Sequence, residues 1–149
     1  ARKVTLQNGK ALALLVDEMM RTISLASNYD DLKPYANELS SSLQLSQKIL
    51  QKLMPFAMKG NYERYLSDAN LFMEYMSIVV MSWLWLEMAV NSKEKITAND
   101  LKHSKIFYES KIHTMKFYFK YELPKTLSLA ETLMSDEVLT IKEDTEYIV

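Results

Sequence analysis

Between Leu71 and Val90 the chain reads LFMEYMSIVVMSWLWLEMAV, and the fold turns on that stretch. Its polar positions are Glu74, Ser77, Ser82 and Glu87. At 100° per residue these do not gather on one face, so a helix here has no broad wet side. A helix that is apolar all round is buried on all sides, in a bundle core or in a membrane. Spanning a bilayer would set Glu74 and Glu87 in or near hydrocarbon, at about 2.5–3.5 kcal/mol for an acid at the centre. The amphipathic segments on either side also need a surface to cover. The stretch therefore reads as the central rod of a helical bundle, covered in part by other helices and open to a partner chain, and not as a membrane span.

Composition supports long helices. Glycine occurs 2 times in 149 residues, against roughly 7% in average proteins. So few positions suited to positive φ leave little capacity for tight hairpins or phosphate-cradling loops. The length suits one domain with a proper core. Basic and acidic residues number 18 and 19, for a net charge of −1, which argues against the concentrated basic face that nucleic acid requires. The absence of cysteine excludes disulfides, thiolate metal sites and a cysteine nucleophile, and fits a reducing, cytoplasmic setting. No signal sequence opens the chain, and its start at Ala1 suggests a processed product or an excised fragment.

Taken in order, the pattern predicts an all-α, up-down four-helix bundle with a short fifth helix and a C-terminal tail. The first helix covers Leu6 to Ala26, with Leu12, Leu15, Val16, Met19, Ile23 and Ala26 on one stripe and an Asp17–Arg21 pair outside it. Gly9 moves its effective start toward Lys10. After Asn28-Tyr29-Asp30-Asp31, Pro34 suits a first turn, and the two aspartates are placed to favour its free N–H groups. This second helix reaches Met58 with Pro55 loosening its end, Gly60 stops it, and Asn61 caps the next. The third helix spans Tyr62 to Asn91, and Asn91 to Lys95 form a solvated connector. Thr97-x-x-Asp100 resembles a capping arrangement that starts the fourth helix. That helix carries Ile106, Phe107, Tyr108, Ile112, Met115, Phe119 and Leu123. Leu123-Pro124 breaks it, and Lys125 to Met134 form the last helix. Residues 1–135 are thus one bundle, and 136–149 an acidic tail that is loose or ordered by a partner.

No catalytic, cofactor-binding or metal-binding constellation emerges. A di-iron bundle needs Glu-x-x-His on two helices, and no Glu here has His at i+3; His103 and His113 read as surface residues. Glu74 and Glu87 are about 20 Å apart along a helix, too far to act on one substrate atom, and read as partners of basic residues or as rim groups. Two glycines cannot supply a nucleophile elbow, a dinucleotide fingerprint or a phosphate loop. Trp83 and Trp85 project about 200° apart, so one can face the core while the other anchors an interface. Trp85 with Met81 and Met88 is the candidate interface, with ordinary core packing as the alternative. In the fourth helix Lys111, Lys116 and Lys120 interleave with aromatics and read as lysines snorkelling over core rings, not as a single-strand binding stripe.

One stretch carries a family likeness. Phe107-Tyr108-x-x-Lys111-Ile112-x-x-x-Lys116-Phe117-Tyr118-Phe119-x-x-x-Leu123-Pro124 resembles the final helical domain appended to some bacterial acyl-CoA dehydrogenases. The Trp83-Leu84-Trp85 helix and the opening Leu6-Gln7-Asn8-Gly9-Lys10 are also similar to that domain. The resemblance implies a parent enzyme that uses FAD to form a double bond α,β to an acyl-CoA thioester. No residue here matches a catalytic position of that family, so this chain would supply no chemistry and hold no cofactor. Its partners would be the upstream dehydrogenase domains and further copies of itself, its contribution assembly or the shape of the substrate channel. The alternatives are a free-standing module that dimerises through the Trp/Met face of the third helix, and a ligand-binding bundle with a closed apolar cavity beside it.

Overall fold

The computed structural model describes residues 10–137 and 139. Within them the chain forms α1 (Lys10–Ala26), α2 (Lys33–Met58), α3 (Tyr62–Leu66), α4 (Ala69–Thr97), α5 (Lys105–Tyr121) and α6 (Lys125–Met134). No strand occurs among the described residues, and the all-α class is as expected.

Four rods alternate in direction. Thr22 on α1 meets Trp83 on α4, and Leu12 lies level with Phe72, so these two helices run parallel. On α2, Tyr35 and Ser42 lie level with Phe119 and Tyr75. Lys93 near the end of α4 reaches Asp31 just before α2, so α2 and α4 run antiparallel. After the Leu123-Pro124 break, α6 continues the line of α5 and brings its last carbonyls to Lys52 on α2. Helix α4 packs against α1, α2, α5 and α6 and is the centre of the bundle.

Periodicity explains the core. In α2 the buried positions are Ala36, Leu39, Leu43, Ser46, Ile49 and Leu53, steps of three and four that hold one face toward the core. Tyr75, Phe119, Met19, Leu39, Leu86 and Met115 are among the fully buried side chains, and burial stabilises each by about 1.5–3 kcal/mol. Polar groups inside are matched. The Tyr75 hydroxyl donates to the Ser42 carbonyl at 2.6 Å, and that of Ser82 to the Ile78 carbonyl at 2.8 Å. Among the described residues no buried side-chain nitrogen or oxygen lacks a partner.

Helix ends follow local chemistry, with several departures from expectation. Gly60, at φ 77, donates to the Ala57 carbonyl while Asn61 donates to Phe56, the paired bonds of a left-handed helix stop. Asn61 then caps α3, accepting from the Arg64 N–H at 3.1 Å. Asp30 and Asp31 do not cap α2. Leu32 holds the N-cap position, the Tyr29 carbonyl accepts from the N–H groups of Leu32 and Lys33, and Asp31 is drawn to Lys93 instead. The third predicted helix is two, broken at Ser67–Asp68. The expected connector Asn91–Lys95 is helical, because α4 runs on until Asn99, at φ 51, donates to Ile96 and Asp100 donates to Lys95. Thr97 therefore ends a helix, and the start of α5 falls to Ser104, whose hydroxyl accepts from the Phe107 N–H. Arg21 pairs with Glu18 at 2.9 Å, one turn away on the face toward α4, and not with Asp17. The first helix is described from Lys10, and the tail expected over 136–149 falls outside the described residues beyond Glu137, apart from Leu139.

Helix α4 is covered only in part by the other helices: Met73, Glu74, Ser77, Met81, Leu84, Met88 and Asn91 are exposed. The helix does possess an outward face, and that face is largely apolar.

Candidate functional site

The outward face of α4 is a surface built by spacing alone. Glu74, Ser77, Met81, Leu84, Met88, Asn91 and Lys95 follow alternating steps of three and four, the a and d positions of a heptad. Met81, Leu84 and Met88 form its apolar centre at 42%, 40% and 40% exposure. Single exposed hydrophobic side chains are ordinary, whereas here three neighbours on one helix form a continuous apolar strip. Methionine suits such a surface, since its unbranched thioether adapts to the opposing shape.

Polar groups rim this row. On the α1 side, Arg21 pairs with Glu18 and stands 3.8 Å from Glu87. Glu87 thus meets a basic residue from a neighbouring helix, while Glu74 is exposed and makes no ion pair among the described residues. On the α5 side a groove of about 460 Å³ has Met88, Phe107 and Tyr108 in its lining, with Lys95 and Lys111 beside them. A hydrogen bond that Lys95 donates to Asp100, followed by that carboxylate's charge, raises the Lys95 ammonium above its usual range. Lys111 Nζ lies 4.9 Å from the centre of the Phe107 ring. Toward the start of α4, Leu12 and Leu15 of α1 and Phe72, Met73, Met76 and Val80 of α4 line an open apolar groove of about 360 Å³.

Of the three residues singled out from sequence, Met81 and Met88 lie on the outward row, and Trp85 sits at its edge, half-buried against the core. Trp83 is also half-buried, its indole N–H donating to the Thr22 hydroxyl at 2.8 Å. Leu84 between them points outward and was missed, although the a/d spacing from Glu74 to Lys95 carried the signal. Lysines do lie over aromatic rings on α5, but the rings beneath Lys111 and Lys120, those of Phe107 and Tyr121, are themselves exposed. The core rings of that helix are Tyr108 and Phe119.

No cluster of three or more metal-ligating side chains exists among the described residues. His103 packs against the Phe107 ring at a 45° tilt at the surface, and His113 is exposed on α5.

Fold and surface together define an all-α bundle domain with an uncovered apolar strip on α4. The chain belongs to the family described as acetyl-CoA dehydrogenase C-terminal like, whose sequence model matches residues 15–142. The match includes the Trp83-Leu84-Trp85 helix and the Phe107 to Pro124 segment, and leaves out the opening Leu6–Lys10. No curated protein and no solved structure matches the chain.

Proposed function

We propose that this chain is a non-catalytic assembly domain of an FAD-dependent acyl-CoA dehydrogenase. Membership of the family supports the parent, and the outward row Met81, Leu84 and Met88 carries the role. A domain whose most apolar helix keeps one face uncovered is suited to contact, and its polar rim matches the anatomy of a protein interface. Flavin and thioester would be held by the upstream domains of the parent. Substrate would be a fatty acyl-CoA, and the setting cytoplasmic.

The test compares the parent dehydrogenase with and without this domain. The truncated enzyme is expected to keep bound flavin and to reduce it with acyl-CoA, while its sedimentation coefficient falls by more than the lost mass explains. Unchanged assembly after truncation would overturn the role, as would reduction of added FAD by acyl-CoA with this chain alone.

A further inference from the structure

We propose that the groove between the end of α4 and the start of α5 binds a small organic carboxylate with an apolar body, held through Ser92, Tyr108 and Lys111. This inference is independent of the assembly reading above. It starts from one hydroxyl. Thr22, Ser46, Ser82, Ser92 and Thr126 are the buried polar side chains among the described residues. All but Ser92 donate to a backbone carbonyl three or four residues earlier. Ser92, at 4% exposure, makes no hydrogen bond to any described residue. Yet no side-chain oxygen among them is sealed off without a partner, so the exposure that the Ser92 hydroxyl keeps opens into the groove it lines. A buried hydroxyl left in this way calls for a ligand or a water.

The groups around it ask for the same kind of partner. The Tyr108 hydroxyl accepts from the Lys102 backbone N–H at 3.2 Å, which leaves its own proton to give. Lys111 lines the groove with its ammonium 4.9 Å from the centre of the Phe107 ring, and makes no ion pair among the described residues. Lys95 also lines the groove, but Asp100 pairs with it, so the two together add no net charge. No Asp or Glu is in the lining, and Glu94, next to Lys95 in sequence, stands outside it.

Donors therefore outnumber acceptors here, and one positive charge is uncompensated. A carboxylate answers both, because it only accepts, carries one negative charge and has lone pairs enough for two hydroxyls and an ammonium. A neutral alcohol would leave the charge unmatched, and a phosphate dianion would bring a second charge with no cation to meet it. The Met88 thioether and the Phe107 ring share the groove with these donors and offer apolar surface to the body of the ligand. At about 460 Å³ the groove falls in the size range of small-molecule sites.

Benzoate is the probe, added to the whole chain and followed by the NMR shifts of backbone amides. Shifts should concentrate at Asn91, Ser92, Phe107, Tyr108 and Lys111, with a dissociation constant of about a millimolar for so small a ligand in an open groove. Acetate lacks the apolar body and benzyl alcohol lacks the charge, so each should bind about tenfold more weakly. Lys111→Met keeps the stem and removes the charge, and should weaken benzoate about tenfold. Ser92→Ala should weaken it about fivefold. Because the hydroxyl has no partner inside the fold, the same variant should lose no thermal stability.

Shifts scattered over surface lysines, or unchanged in Lys111→Met, would show adventitious anion binding only and overturn the proposal. Benzyl alcohol binding as well as benzoate would remove the carboxylate from it and overturn it too. No shift with benzoate would leave the groove to water, with the same consequence. A marked loss of stability in Ser92→Ala would show that the hydroxyl is bonded within the fold, and would also count against the site. None of these results bears on whether the truncated parent loses its assembly, so the assembly reading stands or falls by its own test.

Discussion

The indole N–H of Trp83 on α4 donates to the hydroxyl of Thr22 on α1 at 2.8 Å, and this bond fixes how the two parallel helices sit against each other. Thr22 is buried and its hydroxyl donates to the Glu18 carbonyl at 3.3 Å, which leaves its oxygen to accept from the indole. Thr22→Val keeps the shape and removes the acceptor. The indole N–H then lacks a partner in a half-buried site, at a cost of about 1–2 kcal/mol. Urea unfolding should show that loss as a lower midpoint, with the Trp emission band shifted. An unchanged midpoint would mean that the bond contributes nothing.

Tyr75 is the largest fully buried side chain, and burial pushes its phenol up to about 12. Its hydroxyl donates to Ser42 on α2. Because the folded value lies above the unfolded value near 10, this contribution is whole below about pH 10 and is lost as pH rises toward 12. Absorbance titration should show one of the 9 tyrosines ionising last, together with unfolding. Tyr75→Phe should abolish that late step and cost about 1 kcal/mol at neutral pH.

Lys52 joins the end of α6 to α2. Its ammonium donates to the carbonyls of Met134 and Ser135 and pairs with Asp136 at 2.8 Å. A hydrogen bond from Lys52, and then its charge, holds the Asp136 carboxyl below the usual range. That anchor is complete above the ordinary aspartate value near 4 and should release as pH falls through the lowered folded value. Lys52→Met should speed amide exchange over Ala130–Met134 at neutral pH and remove the acid dependence. Exchange equal to that of the unaltered chain would show α6 held by packing alone.

Gly60→Ala tests the turn that separates α2 from α3. No atom lies within 4 Å of where the new methyl would stand, so space is free. Backbone strain at φ 77 remains, and the left-handed conformation should cost a residue with Cβ about 1–2 kcal/mol. Thermal unfolding measures it, and a stability within error of the unaltered chain would contradict the account.

The helical class was legible because its signals are local. Two glycines, Pro34 in a first turn, Gly60 and Asn61 as stop and start, and Leu123-Pro124 as a break all act within a few residues. What failed depended on tertiary choice. Asp31 was read as a cap, but Lys93, distant in sequence, took it. Thr97 and Ser104 both precede a plausible helix, and only Ser104 accepts the bond. The full extent of the open face of α4 was hidden for a related reason. A residue such as Leu84 has the same hydrophobicity whether its face meets a helix or is left open, so composition counts it as core. Its place in the row from Glu74 to Lys95 was visible, but which side of α4 the other helices would leave open was not.

The proposed role of the outward face of α4 is contact with another protein surface. Sedimentation velocity over a wide concentration range, on the chain and on Leu84→Glu, measures this most directly. The unaltered chain should self-associate with rising concentration, and Leu84→Glu, equally helical, should stay monomeric. A chain that remains monomeric throughout, or a variant that associates as strongly as its parent, would contradict it.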